Sequence, residues 1–308
     1  MIDIAPQLPT YDTSNPNKPV LTGFADNTNF GAFKVITVGS GPTGVAISGR
    51  LGVAVVSNNT AGTASIIDLV GGKAAAADVT TGTGPTGVAV NDATLAGLVA
   101  NTGSNTLSQL NLSALSSTTA TPVTTIAVDT QPIAIAIDQD RGTNNLGLAV
   151  VTALRLNSAA FPSGVLDSVD IGIATPAKST TAAIGSVTAT PTGIVFDPSV
   201  SPALFYAVSS GGNVVSSFNP DNGLASIVHV GINPTSLGIN PQTGAVLTLN
   251  SISNTVSIID TLTSPFKTRR SYGLPGSPTL GVAIDQFLNL AVIVDQANNR
   301  VFIFPMPN

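Results

Sequence analysis

The chain has no cysteine, no tryptophan and one histidine, and all of its 16 acidic residues are aspartate, with no glutamate. Each absence removes a class of chemistry. Without cysteine there is no disulfide framework, no thiolate metal ligand and no thiol nucleophile. His229 must serve every histidine-dependent triad or multi-histidine metal site, or none forms. Carbohydrate stacking platforms use Trp and Tyr, and only Tyr11, Tyr206 and Tyr272 are present. Charged residues make up 9% of the chain, against about a quarter in ordinary globular proteins. Long exposed helices, which lean on Glu and Lys, are hard to build from such a set. A net charge of -5 argues against nucleic acid as a partner, because phosphate binding needs clustered Lys and Arg. The largest basic cluster is Lys267, Arg269 and Arg270, read as a solvated strand edge. No apolar run reaches the length of a membrane-spanning helix, so no transmembrane segment is expected. The opening MIDIAPQLPTYD lacks a basic-then-apolar leader pattern. An exported location therefore implies a leader removed from, or lying outside, this sequence.

What is present is a phrase repeated six times: GPTGVAIS, GPTGVAVN, QPIAIAID, TPTGIVFD, NPTSLGIN and SPTLGVAI. Its prolines, Pro42, Pro85, Pro132, Pro191, Pro234 and Pro278, are spaced by 43, 47, 59, 43 and 44 residues. That period fits a four-stranded propeller blade. In the first unit PTGVAIS, LGVAVVS, TASIIDL and the weaker KAAAADVT (73–80) follow as four short strands. Val, Ile and Ala fill the first two strands, as inner strands covered on both faces require. Asp, Asn, Gly and Pro between them supply the turns.

The sixth unit has GVAID, NLAVIVD and RVFIFPM but no fourth strand. FKVITV (Phe33–Val38) stands ahead of the first repeat and matches the fourth-strand pattern of TTIAVD and SIVHVG. The expectation is an all-β, six-bladed β-propeller of four-stranded antiparallel blades, the last blade closed by this N-terminal strand, since closure removes exposed edges. Residues 1–32 read as an N-terminal extension or linker and 33–308 as the propeller. The interval from Pro132 to Pro191 carries an excess assigned to ALRLNSAAFPSG (153–164), an insertion in the third unit.

The pairing of PTGVAIS with VVSNNTAGTASIIDL resembles the YVTN-type repeat of bacterial surface-layer and related propeller proteins and, more loosely, NHL repeats, over about Phe33 to Met306. The resemblance implies a β-propeller and an extracellular, cell-surface or periplasmic setting. It does not select a function, because such repeats occur in enzymes, binding modules and surface proteins. The tyrosine that often opens the second strand of that repeat is mostly replaced here, and Tyr206 is its nearest match.

Propeller ligands meet the channel or one of its mouths, which places the candidates on the connections from second to third strand. There Asn58, Asn101, Ser209, Asn250 and Asp295 are candidate ligand-binding residues, able to offer amides, a hydroxyl and a carboxylate. Asparagine is also a favoured turn residue, so both readings stand. No cofactor is expected. The one ion these donors would suit is Ca2+ at Asp295, and a lone carboxylate binds it weakly. DQDRGTNN, with Asp138, Asp140 and Asn144, faintly suggests a calcium loop but lacks the terminal bidentate Glu and reads as a tight turn. His229 falls on an outermost strand, far from the axis. Phe196, Phe205, Phe218, Phe302 and Phe304 fall at strand positions suited to packing between blades.

The leading expectation is a monomeric, non-catalytic, exported or cell-surface scaffold for protein interaction or adhesion. The alternatives are a propeller hydrolase or lactonase with a sparse Asp and Asn metal site at the channel mouth, and a propeller that binds a small polar ligand.

Overall fold

The computed structural model describes residues 7–12, 20–26, 35–70, 72–74, 78–114, 123–140, 147–156, 162–173, 175–184, 190–262, 267–275, 280–295, 298 and 300–306. The chain divides into two compact units, Met1–Ile36 and Thr37–Asn308. The first contains an antiparallel hairpin, β1 (Gln7–Asp12) and β2 (Val20–Asp26), where the sequence suggested a linker.

The described residues of the second unit form six antiparallel sheets in chain order. Blade 1 holds β3 (Pro42–Ser48), β4 (Val53–Asn58), β5 (Thr63–Asp68) and two short pieces, β6 (Lys73–Ala74) and β7 (Val79–Thr80), which both pair with β5. Of the expected fourth strand over 73–80 these two pieces are seen, and 75–77 lie outside the described residues. Blade 2 holds β8 (Pro85–Asn91), β9 (Ala96–Asn101), β10 (Thr106–Asn111) and β11 (Val123–Ala127). Blade 3 holds β12 (Ile135–Asp138), β13 (Leu148–Leu156), β14 (Pro162–Asp170) and β15 (Ala177–Ala183). Blade 4 holds β16 (Pro191–Asp197), β17 (Leu204–Ser209), β18 (Val214–Asn219) and β19 (Gly223–His229). Blade 5 holds β20 (Pro234–Asn240), β21 (Ala245–Asn250), β22 (Thr255–Asp260) and β23 (Lys267–Gly273). Blade 6 holds β24 (Leu280–Asp285), β25 (Leu290–Asp295) and β26 (Arg300–Pro305).

The first strands adjoin one another in succession, β3 beside β8, then β12, β16, β20 and β24. The repeated phrase is the code for these junctions. The Thr43 hydroxyl donates to the carbonyl of Pro85 in the next blade at 3.1 Å, and Thr192 does the same to Pro234 at 3.2 Å. Thr86 reaches the carbonyl of Ile133 at 3.1 Å. The following glycine lets the two backbones approach: a Cβ on Gly44 or Gly87 would collide with the carbonyl oxygen of Thr86 or Ile133.

Between consecutive blades lie five apolar clusters. Val53, Val55, Ala64 and Ile66 of blade 1 pack with Val88, Val90, Val99 and Leu110 of blade 2, and the same arrangement returns at each junction up to blades 5 and 6. The strand alternation assigns one face of each blade to its predecessor and the other to its successor. The phenylalanines take the expected places. Phe196, Phe205 and Phe218 lie between blades 3 and 4, and Phe302 and Phe304 between blades 5 and 6.

Among the described residues the expected closure is not seen: blade 6 has three strands with β26 at its edge. Val35–Val38, the described part of Phe33–Val38, is not a strand, and Val35 is 92% exposed. Phe33 and Lys34 lie outside the described residues. A strand bridging two blades needs those blades side by side, whereas the outer faces of blades 1 and 6 are open to solvent at Val45, Ile47, Val292 and Ile303.

Candidate functional site

The five rim candidates are all fully buried. Asn58, Asn101, Ser209, Asn250 and Asp295 end the second strands of blades 1, 2, 4, 5 and 6, each with no exposed surface. Asn101 shows why. Its Nδ2 donates to Thr106 Oγ1 and to Ser108 Oγ, both at 3.0 Å, clasping the turn to the third strand. Asn58 repeats this with Thr63 and Ser65, and Asn250 with Thr255 and Ser257. The clasp also explains a sequence feature upstream of Pro42, Pro85 and Pro234. Gly39, Gly82 and Gly231 each lie over one of these amides, and a Cβ on Gly82 would sit 2.7 Å from Asn101 Cγ. Both Asp295 carboxylate oxygens accept from Asn298 Nδ2, at 3.0 and 2.9 Å.

The remaining rim asparagines are turn residues. Asn105, Asn213 and Asn254 adopt left-handed φ of 59°, 52° and 51°, where blade 1 has Gly62 at 66°. Asn105 and Asn213 also accept, through Oδ1, from the backbone N–H of Gln131 and Asn233 just before the next blade.

Blade 3 departs from the scheme. Where blade 1 has Gly39, Asn58 and Ser65, blade 3 has Asp129, Ala153 and Asp167. The backbone correspondence is close: Gly39 N–H donates to Ser65 Oγ at 3.2 Å, and Asp129 N–H donates to Asp167 Oδ2 at 2.6 Å. Losing the asparagine side chain at Ala153 vacates the space beneath the glycine position, so that a side chain can stand there. Asp129 then collects two cations. Arg155 Nη2 lies 2.8 Å from Asp129 Oδ2, and Lys178 Nζ lies 3.2 Å from Oδ1. Lys178 is also 3.8 Å from Asp167, which accepts from Thr181 Oγ1 at 2.6 Å.

The electrostatics of the two carboxyls differ. Burial pushes Asp129 up, but the hydrogen bonds and charges of Arg155 and Lys178 outweigh it and hold the carboxyl below its ordinary value. Asp167 is fully buried, and burial raises its pKa. The Asp129 charge adds to that rise against the opposing hydrogen bonds from Thr181 and the Asp129 N–H.

This cluster anchors the insertion. The described parts of 153–164 are strand: β13 and β14 are each nine residues long, pairing as far as Leu156 with Pro162, with 157–161 outside the described residues. Arg155 stands on that extension, and Thr130 Oγ1 donates to the carbonyl of Leu154 at 2.6 Å. Sequence reasoning missed the group, although four charged side chains in a chain with so few, one of them at a glycine position, were the available signal.

His229 is exposed at the end of β19, the outermost strand of blade 4, as expected. Asp138 Oδ1 accepts from Asp140 N–H at 3.1 Å, a local turn, and Asn144 lies outside the described residues. Arg270 is exposed on the edge strand β23 beside Tyr272. Among the described residues no three acidic or histidine side chains converge as metal ligands, and no helix is long and apolar enough to cross a membrane.

No protein-family model matches the chain, and no curated protein does. Solved structures do. A functionally unknown protein from Desulfotomaculum acetoxidans superposes with a TM-score of 0.59 at 15% identity, over 80% of this chain and 77% of that one. The Cps50 (Swd1) β-propeller domain of Myceliophteria thermophila gives 0.62 at 10% identity, over 87% and 84%. At such identities the likeness is one of fold alone. It agrees with the repeated four-stranded sheets, and the class is that of β-propeller repeat proteins.

Proposed function

We propose that this is a non-catalytic scaffold for protein interaction or adhesion, exported or on the cell surface, built from YVTN-type repeats. The observation that carries the reading is how the polar rim is used. Asn58, Asn101 and Asn250, the side chains best placed to hold a ligand, spend their amide donors on strands of their own blades. Such a rim supports rigidity rather than turnover. The feature that breaks the repeat is the long β13–β14 hairpin, held at its base by Asp129, Arg155 and Lys178. We take this hairpin as the partner-contacting element, since binding residues concentrate on the connections that a rigid scaffold displays, and this is the connection that departs from the repeat.

The test compares the full chain with a variant in which residues 154–164 are replaced by a two-residue turn. Labelled protein is titrated onto bacterial envelope preparations, and both proteins are screened for lactone and ester hydrolysis with and without Ca2+. Saturable binding that the shortened variant loses, without turnover, supports the scaffold. Turnover abolished by a chelator overturns it.

A further inference from the structure

Asp167 and Lys178 stand on neighbouring strands of blade 3, β14 and its edge strand β15. Paired residues share one face of a sheet, so Lys178 opposite Val169 and Thr181 opposite Asp167 lie on the face that Val169 turns to blade 2. There Lys178 Nζ lies 3.8 Å from Asp167 Oδ1, one bond from the carboxyl carbon. An ion pair needs nothing more, but the surroundings supply more. Asp167 is fully buried, which raises its pKa and favours the neutral acid, the form whose hydroxyl can depart as water. Its oxygens accept from Thr181 Oγ1 and from the Asp129 N–H, each at 2.6 Å. Both donors are placed to hold the negative charge that develops when a nucleophile adds to the carboxyl carbon. Asp129 Oδ1 stands 3.2 Å from Lys178 Nζ, where it can take a proton, while Arg155 fixes the other Asp129 oxygen. A nucleophile, an acid carbon, two oxyanion donors and a base thus meet in one place.

We propose that Lys178 and Asp167 condense into an isopeptide bond, made once by the folded chain itself. The Lys178 ammonium gives one proton to the Asp129 carboxylate, and its freed lone pair forms the Nζ–Cγ bond to the neutral Asp167 carboxyl. The oxyanion so formed at Oδ2 is met by the Asp129 N–H. Asp129 then returns its proton to the hydroxyl at Oδ1, which leaves as water, and the amide nitrogen sheds a second proton to solvent. Ammonium and acid thus become amide, water and one proton, with no oxidant or other reactant. Free amines and acids do not condense in water, but contact in a fixed geometry raises the effective concentration to ~10⁵ M or more, which favours the joined state. The bond ties the edge strand β15 to β14 at the foot of the long hairpin, in a chain that has no cysteine to staple it. It is a single event per chain rather than turnover, and it stands or falls independently of what the hairpin contacts.

Mass spectrometry of the purified full chain tests this. The intact mass, read after denaturation, is expected one water below the value calculated from the sequence. Trypsin cannot cut at an acylated lysine. The peptide 156–178, which lies between the cuts at Arg155 and Lys178, should therefore be absent, replaced by 156–267 carrying the bond between Asp167 and Lys178. Lys178→Arg keeps the positive charge and cannot form the amide, so it should show the full mass and release 156–178. If Lys178→Arg does not fold, the peptide map of the unmodified chain decides. A full-mass parent that releases 156–178 overturns the proposal and leaves an ion pair only. A parent one water light that still releases 156–178 also overturns it, because the water was then lost elsewhere.

Discussion

Asp129 stands in blade 3 where Gly39 stands in blade 1, and both N–H groups donate to the equivalent third-strand side chain, Asp167 in one case and Ser65 in the other. In blades 1 and 3 this position thus carries, respectively, a glycine over an asparagine clasp and an aspartate that recruits cations. The choice is set by the residue beneath, Asn58 or Ala153. Only the second option anchors a long hairpin.

The ion cluster makes stability depend on acid in a definite direction. A carboxyl whose folded pKa lies below its unfolded value of 3.8, as for Asp129, contributes stability that is complete above that value and lost as pH falls through the folded one. Asp167 has the opposite sign: its raised pKa means that the ionised form costs stability, and the cost is relieved first as the pH drops toward 3.8. The advantage of the unmodified chain over Asp129→Asn should therefore hold at neutral pH and shrink below about pH 4. Melting both proteins from about pH 7 to pH 2.5 checks this, and a difference constant across that range would count against it.

Equivalent glycines should respond differently to the same substitution. In Gly87→Ala the new methyl meets the carbonyl of Ile133, so the inner strands of blades 2 and 3 must part, at a cost of ~2 kcal/mol. At Gly193 the nearest atom to a Cβ is Val208 Cγ1 at 3.4 Å, ordinary contact. Gly193→Ala should be neutral or stabilise by ~0.5 kcal/mol through the unfolded chain. Denaturant midpoints of the two variants decide the matter, and equal losses would show that strand proximity is not what the glycine serves.

The asparagine clasp should matter to stability and not to ligand capture. Asn101→Ala removes a half-buried hydrogen bond to Thr106 and a buried one to Ser108 and leaves a void, for a loss of ~2 kcal/mol. Urea unfolding measures it. A variant as stable as the parent would return Asn101 to the list of residues kept for binding.

Much of the fold was legible from spacing alone. Six prolines at a blade-like period, apolar first and second strands and Asn- or Gly-bearing turns gave the sheets, their order and the inward-packing phenylalanines. The candidate site was far less legible. Asn101 looks the same in sequence whether it points to a ligand or to Ser108, because an amide suits both, and only burial separates them. Asp129, Arg155, Asp167 and Lys178 are distant in sequence, and nothing local announces that they meet.

The repeat by itself determined which residues join one blade to the next, because strand alternation and the Pro-Thr-Gly phrase are local properties that survive in any arrangement of the blades. Whether the first and last blades meet is not local. It depends on small rotations accumulated over five junctions, and only the tertiary structure decided it, leaving Ile47 and Val292 on faces open to solvent.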